Sequence, residues 1–123
     1  MSNAFFDALR AEEEARQRLA VTLPDYQLAV KTLLPVALTD SSGGRVCANV
    51  LLSLYDSDTY PFPIADLGVL DLPLLEHALI AIRGRVLLGE EPHTIAADGQ
   101  EAFHRLLELW PQLVAGVRYG CPF

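Results

Sequence analysis

The chain has 123 residues, 51% of them apolar, and carries 16 acidic against 9 basic side chains, a net charge of −7. That length holds one domain with one core, and the charge opposes a phosphate backbone or an anionic membrane. Eight of the nine basic residues are arginine and the ninth is Lys31, so no lysine-rich tract exists to offset it.

Leucine and alanine dominate the apolar set, which favours helix over sheet. Residues 3–20 predict a first helix, capped by Ser2 or Asn3. Phe5, Phe6 and Leu9 form a short apolar patch by which it grips the body. The remainder is charged, with Glu12–Arg16 and Glu14–Arg18 in the favourable i,i+4 order. Residues 1–22 thus read as a helical arm, and residues 23–123 as the domain proper.

Thr22 caps a second helix, with Pro24 and Asp25 in its first turn. Tyr26, Ala29, Val30, Leu33, Leu34 and Ala37 recur at helical spacing. Pro35 removes the N–H that would reach Lys31, so a kink or a stop is expected near Leu34.

The stretch "TDSSGGRVCANVLLSLYD" follows. A phosphate-binding loop needs a glycine, four residues, then Gly-Lys-Ser/Thr after a strand. Lysine is missing here, and the preceding element is a helix. Ser41 or Ser42 caps a third helix instead, and glycine lets it approach a neighbour. Free N–H groups at Ser41, Ser42, Gly43 and Gly44, with Arg45 beside them, leave an anion site as the alternative. Val46, Val50, Leu51, Leu54 and Tyr55 face the core. Cys47, Ala48 and Leu52 make the other sides apolar, so this helix is buried nearly all round.

Asp56–Pro63 is a loop, and "IADLGVLD" has room for one helical turn. Asp71 and Pro73 open a fourth helix whose expected buried face is Leu75, Ala78, Leu79, Ile82 and Val86, closed by Gly89. Gly84 in its middle costs up to about 1 kcal/mol against alanine and implies a close helix crossing. Arg83 and Arg85 point to different sides, each within reach of Asp71, Glu90 or Glu91. "EEPHTIAADG" is a connector with His93 in it. Asp98 and Glu101 form a capping box for a last helix. Its stripe is Phe103, Leu106, Leu107, Trp110, Leu113 and Val114, bent late by Pro111. The tail "RYGCPF" is irregular.

The sum is an all-α domain, an irregular bundle of four to five helices. Cys47 reads as a core residue, and Cys121 lies near the end of the chain. His77, His93 and His104 have no ligand spacing, so no metal is expected, and no cofactor. No apolar run spans a bilayer and no leader precedes the first helix. A soluble cytoplasmic protein with reduced thiols is the expectation.

Four segments carry a resemblance: "DSSGGRVCANVLLSLYDSD", "IADLGVLD", "ALIAIRGRVLLGEEPHTI" and "FHRLLELW". Together, over roughly residues 24–115, the chain resembles an uncharacterised family of small proteobacterial proteins often found on phages, plasmids and integrated elements. The family pattern maps onto Asp40, Gly44, Arg45, Asp66, Leu67, Arg83, Pro92 and Trp110. The resemblance implies a mobile-element setting and no activity. Pro35 and the first helix depart from the pattern.

No nucleophile elbow is present and the carboxylates fall in surface runs, so an enzyme is not expected. The leading expectation is a small acidic protein that works through protein–protein contact, as an adaptor, an accessory or an inhibitor of a host factor. An anion- or ligand-binding domain using the Ser41–Arg45 turn is the first alternative. A helix-turn-helix regulator is the second, weakened because its recognition helix offers only Arg45 and Asn49 to bases. Ser41, Ser42, Gly44, Arg45, Arg83, Arg85 and His93 are the candidate anion or partner contacts. Neither nucleic acid nor membrane is an expected partner. A homodimer is, because helices three and four are apolar on more than one side and the Phe5/Phe6 arm is a ready contact.

Overall fold

The computed structural model describes residues 3–115, and among them every regular element is helical. In chain order they are α1 (Ala4–Leu19), α2 (Leu23–Ala37), α3 (Ser42–Tyr55), a 3₁₀ segment at Ile64–Val69, α4 (Leu72–Leu88), α5 (Pro92–Ile95), α6 (Gly99–Leu109) and a 3₁₀ turn at Pro111–Leu113. The fold is all-α. The expected connector holds one extra turn of helix, α5. Ser2, Cys121 and the tail lie outside the described residues.

Local chemistry starts the central helices where the sequence places them. Thr22 and Asp25 form a capping box on α2, with Thr22 Oγ1 accepting from Asp25 N–H at 3.2 Å. Ser41 caps α3, Asp71 caps α4, and Gly89 closes α4 in the left-handed conformation at φ 75°. Each device satisfies backbone groups that a helix end leaves bare.

α2 is the axis of the bundle. It packs along both α3 and α4, burying Tyr26, Ala29, Val30, Leu33 and Ala37 completely. The helix does not stop near Leu34; it runs through Pro35 to Ala37. Pro35 sits in the last turn, so few backbone bonds remain to be lost beyond it. The end is then held from elsewhere: Trp110 Nε1–H donates to Ala37 O at 2.7 Å, in the buried core.

α4 shows the largest departure from expectation. Its buried residues are Ala78, Ala81 and Gly84, whereas Leu79 and Val86, expected inside, are 41% and 72% exposed. The cause is close approach. A Cβ on Gly84 would run into the Tyr26 ring. The helix that comes this near presents its smallest side chains at the crossing; Leu75 and Ile82 pack half-buried beside it, and Leu79 and Val86 turn away.

Four further expectations fail. Asp98 makes no side-chain cap on α6, because it adopts φ 55°. Gly99 beside it lies so close to the carbonyl of His93 that a Cβ would overlap it, which fixes the chain path at that corner. α6 ends at Leu109, before Pro111, and is not bent by it. Finally, no residue of α1 is buried, so its phenylalanines do not grip the body. Phe5 and Phe6 meet only edge to face, with ring centroids 5.5 Å apart. Arg16 binds Glu12 and Glu13, at 3.0 and 2.9 Å, while Glu14 and Arg18 do not reach ion-pair distance.

Candidate functional site

The glycine-serine turn is built as a cap. Thr39 Oγ1 donates its proton to Val36 O at 2.6 Å, which leaves the Ser41 hydroxyl to donate to Thr39 Oγ1 at 2.9 Å. Ser41 Oγ in turn accepts from Gly44 N–H at 2.9 Å. Both hydroxyls are thereby committed to holding α3 against the end of α2. Ser42 is the first helical residue and does not cap. Gly44 is required at this crossing, because a Cβ would overlap the carbonyl oxygens of Thr39 and Val36.

Arg45 leaves this turn sideways. Its Nη1 lies 3.2 Å from Asp66 Oδ2, and both side chains are about two-thirds covered or more. The pair ties the 3₁₀ segment Ile64–Val69 to the start of α3. Asn49, one turn further on, is fully buried and donates from Nδ2 to Pro61 O at 3.1 Å. It pins the prolyl loop to the same helix, and is a structural residue where the sequence offered it as a base reader.

The other three candidates lie elsewhere. Arg83 stands exposed on the outward side of α4, and makes no ion pair or hydrogen bond with a described residue. Arg85 does not pair with an acid either. Its Nε–H donates to Leu54 O at 3.0 Å, one of the carbonyls that the end of α3 leaves free. His93 reaches the same end of α3 from α5. Tyr55 separates the two, lining a cleft with His93 on one side and a cleft with Arg85 on the other. The turn therefore lies at the opposite end of a helix about 20 Å long from Arg85 and His93, Arg83 stands apart on the surface of α4, and the candidates form no single site.

The His93 cleft, of about 210 Å³, is lined by Tyr55, His93, Gln100, Phe103, His104 and Leu107. The imidazole meets the Tyr55 ring edge to face at 4.9 Å and tilts against Phe103 at 6.0 Å. Its Nδ1 is buried, 3.5 Å from Glu91 Oε2 but without hydrogen-bond geometry. The contact is an ion pair only when the ring is protonated. His104 turns away to Glu108, at 3.1 Å on the surface. No described residue pairs a nucleophile with a base here. No group of three or more His, Cys, Asp and Glu side chains that could hold a metal ion occurs among the described residues.

Burial raises the Tyr26, Cys47 and Tyr60 side chains by desolvation. The Tyr26 phenol is pushed up to about 12, and its O–H donates to Glu90 O at 2.7 Å. Burial pushes the Cys47 thiol up to about 11, which keeps it protonated and unreactive. Asp56 is held below the usual carboxylate range by hydrogen bonds from the side chain and backbone of Thr59. All four serve the fold.

On the other side of α2, an apolar groove of about 450 Å³ runs between Leu34, Pro35, Leu38 and Ile95, with Lys31 at its rim. No described helix is long and apolar enough to cross a membrane. Among known families, a family of unknown function (DUF7673) matches residues 27–111. No curated protein and no solved structure matches the chain.

Proposed function

We propose that this chain, which belongs to the family of unknown function DUF7673, acts by binding another protein and carries out no chemistry of its own. It serves as an adaptor, an accessory or an inhibitor of a host factor, in the setting of a proteobacterial mobile element. The observation that carries the reading is α1. This helix turns Phe5, Ala8, Leu9, Ala15 and Leu19 to one side, interrupted by the internally paired Glu12 and Arg16. Asp7, Arg10, Glu14 and Arg18 occupy the other side, with Glu13 and the 64% exposed Phe6 at the boundary. Yet none of it is buried, and Phe5 is 69% exposed.

A solitary helix of 16 residues is marginally stable in water. Covering its apolar face is what makes such a helix persist, and an amphipathic helix laid into an apolar groove is a common mode of recognition. α1 also precedes the segment matched by the family, residues 27–111. It is a separate attachment that carries its own binding face. The net charge of −7 favours a partner whose groove has a basic rim.

The test is photo-crosslinking in the native host, with a diazirine amino acid placed at Phe5, Leu9 or, on the opposite face, Glu14. A discrete adduct with a different protein from Phe5 and Leu9, and none from Glu14, is the expected result. No adduct from the two apolar positions, or the same adducts from all three, overturns the reading.

A further inference from the structure

The outward face of α4 is the wrong kind of surface for a free helix. Leu72, Leu79 and Val86 lie on it at sevenfold spacing and are 79%, 41% and 72% exposed. Leu87 extends the stripe, and Ile64 adds a further exposed side chain next to Ile82 at its margin. Spacing of seven keeps residues on one face over about 21 Å of helix. A solvated face ordinarily carries charge at these positions. Only Glu76 and Arg83 interrupt the apolar surface. Among the described residues, neither makes an ion pair or a hydrogen bond.

The order of these residues selects the occupant. Leu72 and Val86 are each seven residues from Leu79. Glu76 lies on one side of that centre and Arg83 on the other. The two charges stand about 10 Å apart along the axis, too far to satisfy one another within the helix. Read backwards, the face shows apolar side chains in the same places, with acid and base exchanged. A surface with that property is complementary to itself under a two-fold rotation, the condition for a closed dimer.

We propose that a second copy of this chain packs on this face, α4 against α4 in antiparallel, with Leu79 near the two-fold axis. Leu72 of each copy then lies by Val86 of the other, and Glu76 by Arg83, giving two equivalent ion pairs beside an apolar seam. Charge at the edge of such a seam sets orientation. A parallel pairing would set Glu76 and Arg83 of the two copies on opposite flanks of the seam, leaving each charge without an opposite partner. The contact is a single helix wide, smaller than a standard interface of about 800 Å² per partner, so the dimer is expected to form in the micromolar range. It is independent of whatever α1 binds.

Sedimentation velocity on the full chain, over a concentration series from micromolar to millimolar, tests the idea. The wild type should pass from monomer to dimer. Leu72→Glu with Val86→Glu, both at well-exposed positions, should remain monomeric with an unchanged helical dichroism spectrum. Glu76→Arg alone, or Arg83→Glu alone, replaces two attractions with two repulsions and should weaken the dimer about tenfold. The double exchange Glu76→Arg/Arg83→Glu should restore it. A wild type that stays monomeric throughout overturns the proposal. So does a dimer that survives the glutamates, a double exchange that fails to rescue, or a dimer lost on Phe5→Ser/Leu9→Ser, which would assign the contact to α1.

Discussion

Replacing Trp110 separates two things that hold the end of α2. Ala37 is the last residue of that helix, and its carbonyl is among those without an intrahelical partner. It is buried, so water cannot serve it. The indole N–H supplies the missing donor at 2.7 Å, from 73 residues along the chain. Trp110→Ala loses the bond and most of a buried aromatic, since the side chain is 6% exposed. The expected cost is about 3–5 kcal/mol, a large fraction of the 5–15 kcal/mol that a domain has in hand, on the order of magnitude usual for globular proteins. Trp110→Phe keeps much of the apolar contact and removes the donor. Stranding Ala37 O alone costs about 1–3 kcal/mol. Urea unfolding followed by dichroism at the helical band reports both, and it is needed because Trp110 is the chain's single tryptophan fluorophore. A phenylalanine variant within about 0.5 kcal/mol of wild type would refute the argument, showing that the carbonyl is satisfied without the indole.

Gly84→Ala should lower the melting temperature, by the equivalent of about 1–3 kcal/mol for an overpacked contact, because its Cβ would overlap Tyr26; a rise, as helix propensity alone would give, contradicts the close crossing. Ser41→Ala should cost about 0.5–2 kcal/mol in chemical denaturation through loss of the cap, while Ser42→Ala should be near neutral, and the reverse order would misplace the cap. Tyr26 gives a pH dependence. Its folded value of about 12 exceeds the ordinary 10.0, so the folded state keeps the phenolic proton longer. The associated stability is whole below pH 10.0 and is lost as pH rises towards 12. Tyr26→Phe should be less stable at neutral pH, lacking the bond to Glu90 O, and its alkaline loss should be shallower; equal slopes in a pH series of denaturation curves would exclude Tyr26 as the source.

Caps were legible in the sequence because they are settled within three or four residues. Thr22 with Asp25, Ser41 with Gly44, and Asp71 with Leu74 each close a loop of hydrogen bonds that needs nothing distant. The same holds for the stripes of α2 and α6, where polar residues on one side leave only one side to bury. The glycine-serine turn was legible as a cap because it lacks the lysine and the preceding strand of a phosphate loop, and in the folded chain its hydroxyls and Arg45 are engaged internally.

What the tertiary structure decided is which face of an apolar helix goes inward. α4 has apolar side chains nearly all round, so periodicity offers no preference, and leucine was the natural choice for the core. The partner decided otherwise: the Tyr26 ring on α2 leaves no room for a side chain at Gly84, and Ala78 and Ala81 are buried along with it. Close approach forced the small side chains in, and put Leu72, Leu79 and Val86 into solvent. The same applies at Asp98, whose capping box is locally correct but is overridden where Gly99 crosses His93. It applies again at Arg85, drawn to the end of α3 instead of to a neighbouring acid. Local hydrogen bonding is encoded by neighbours in sequence, whereas steric fit between helices is a property of pairs that only the folded chain brings together.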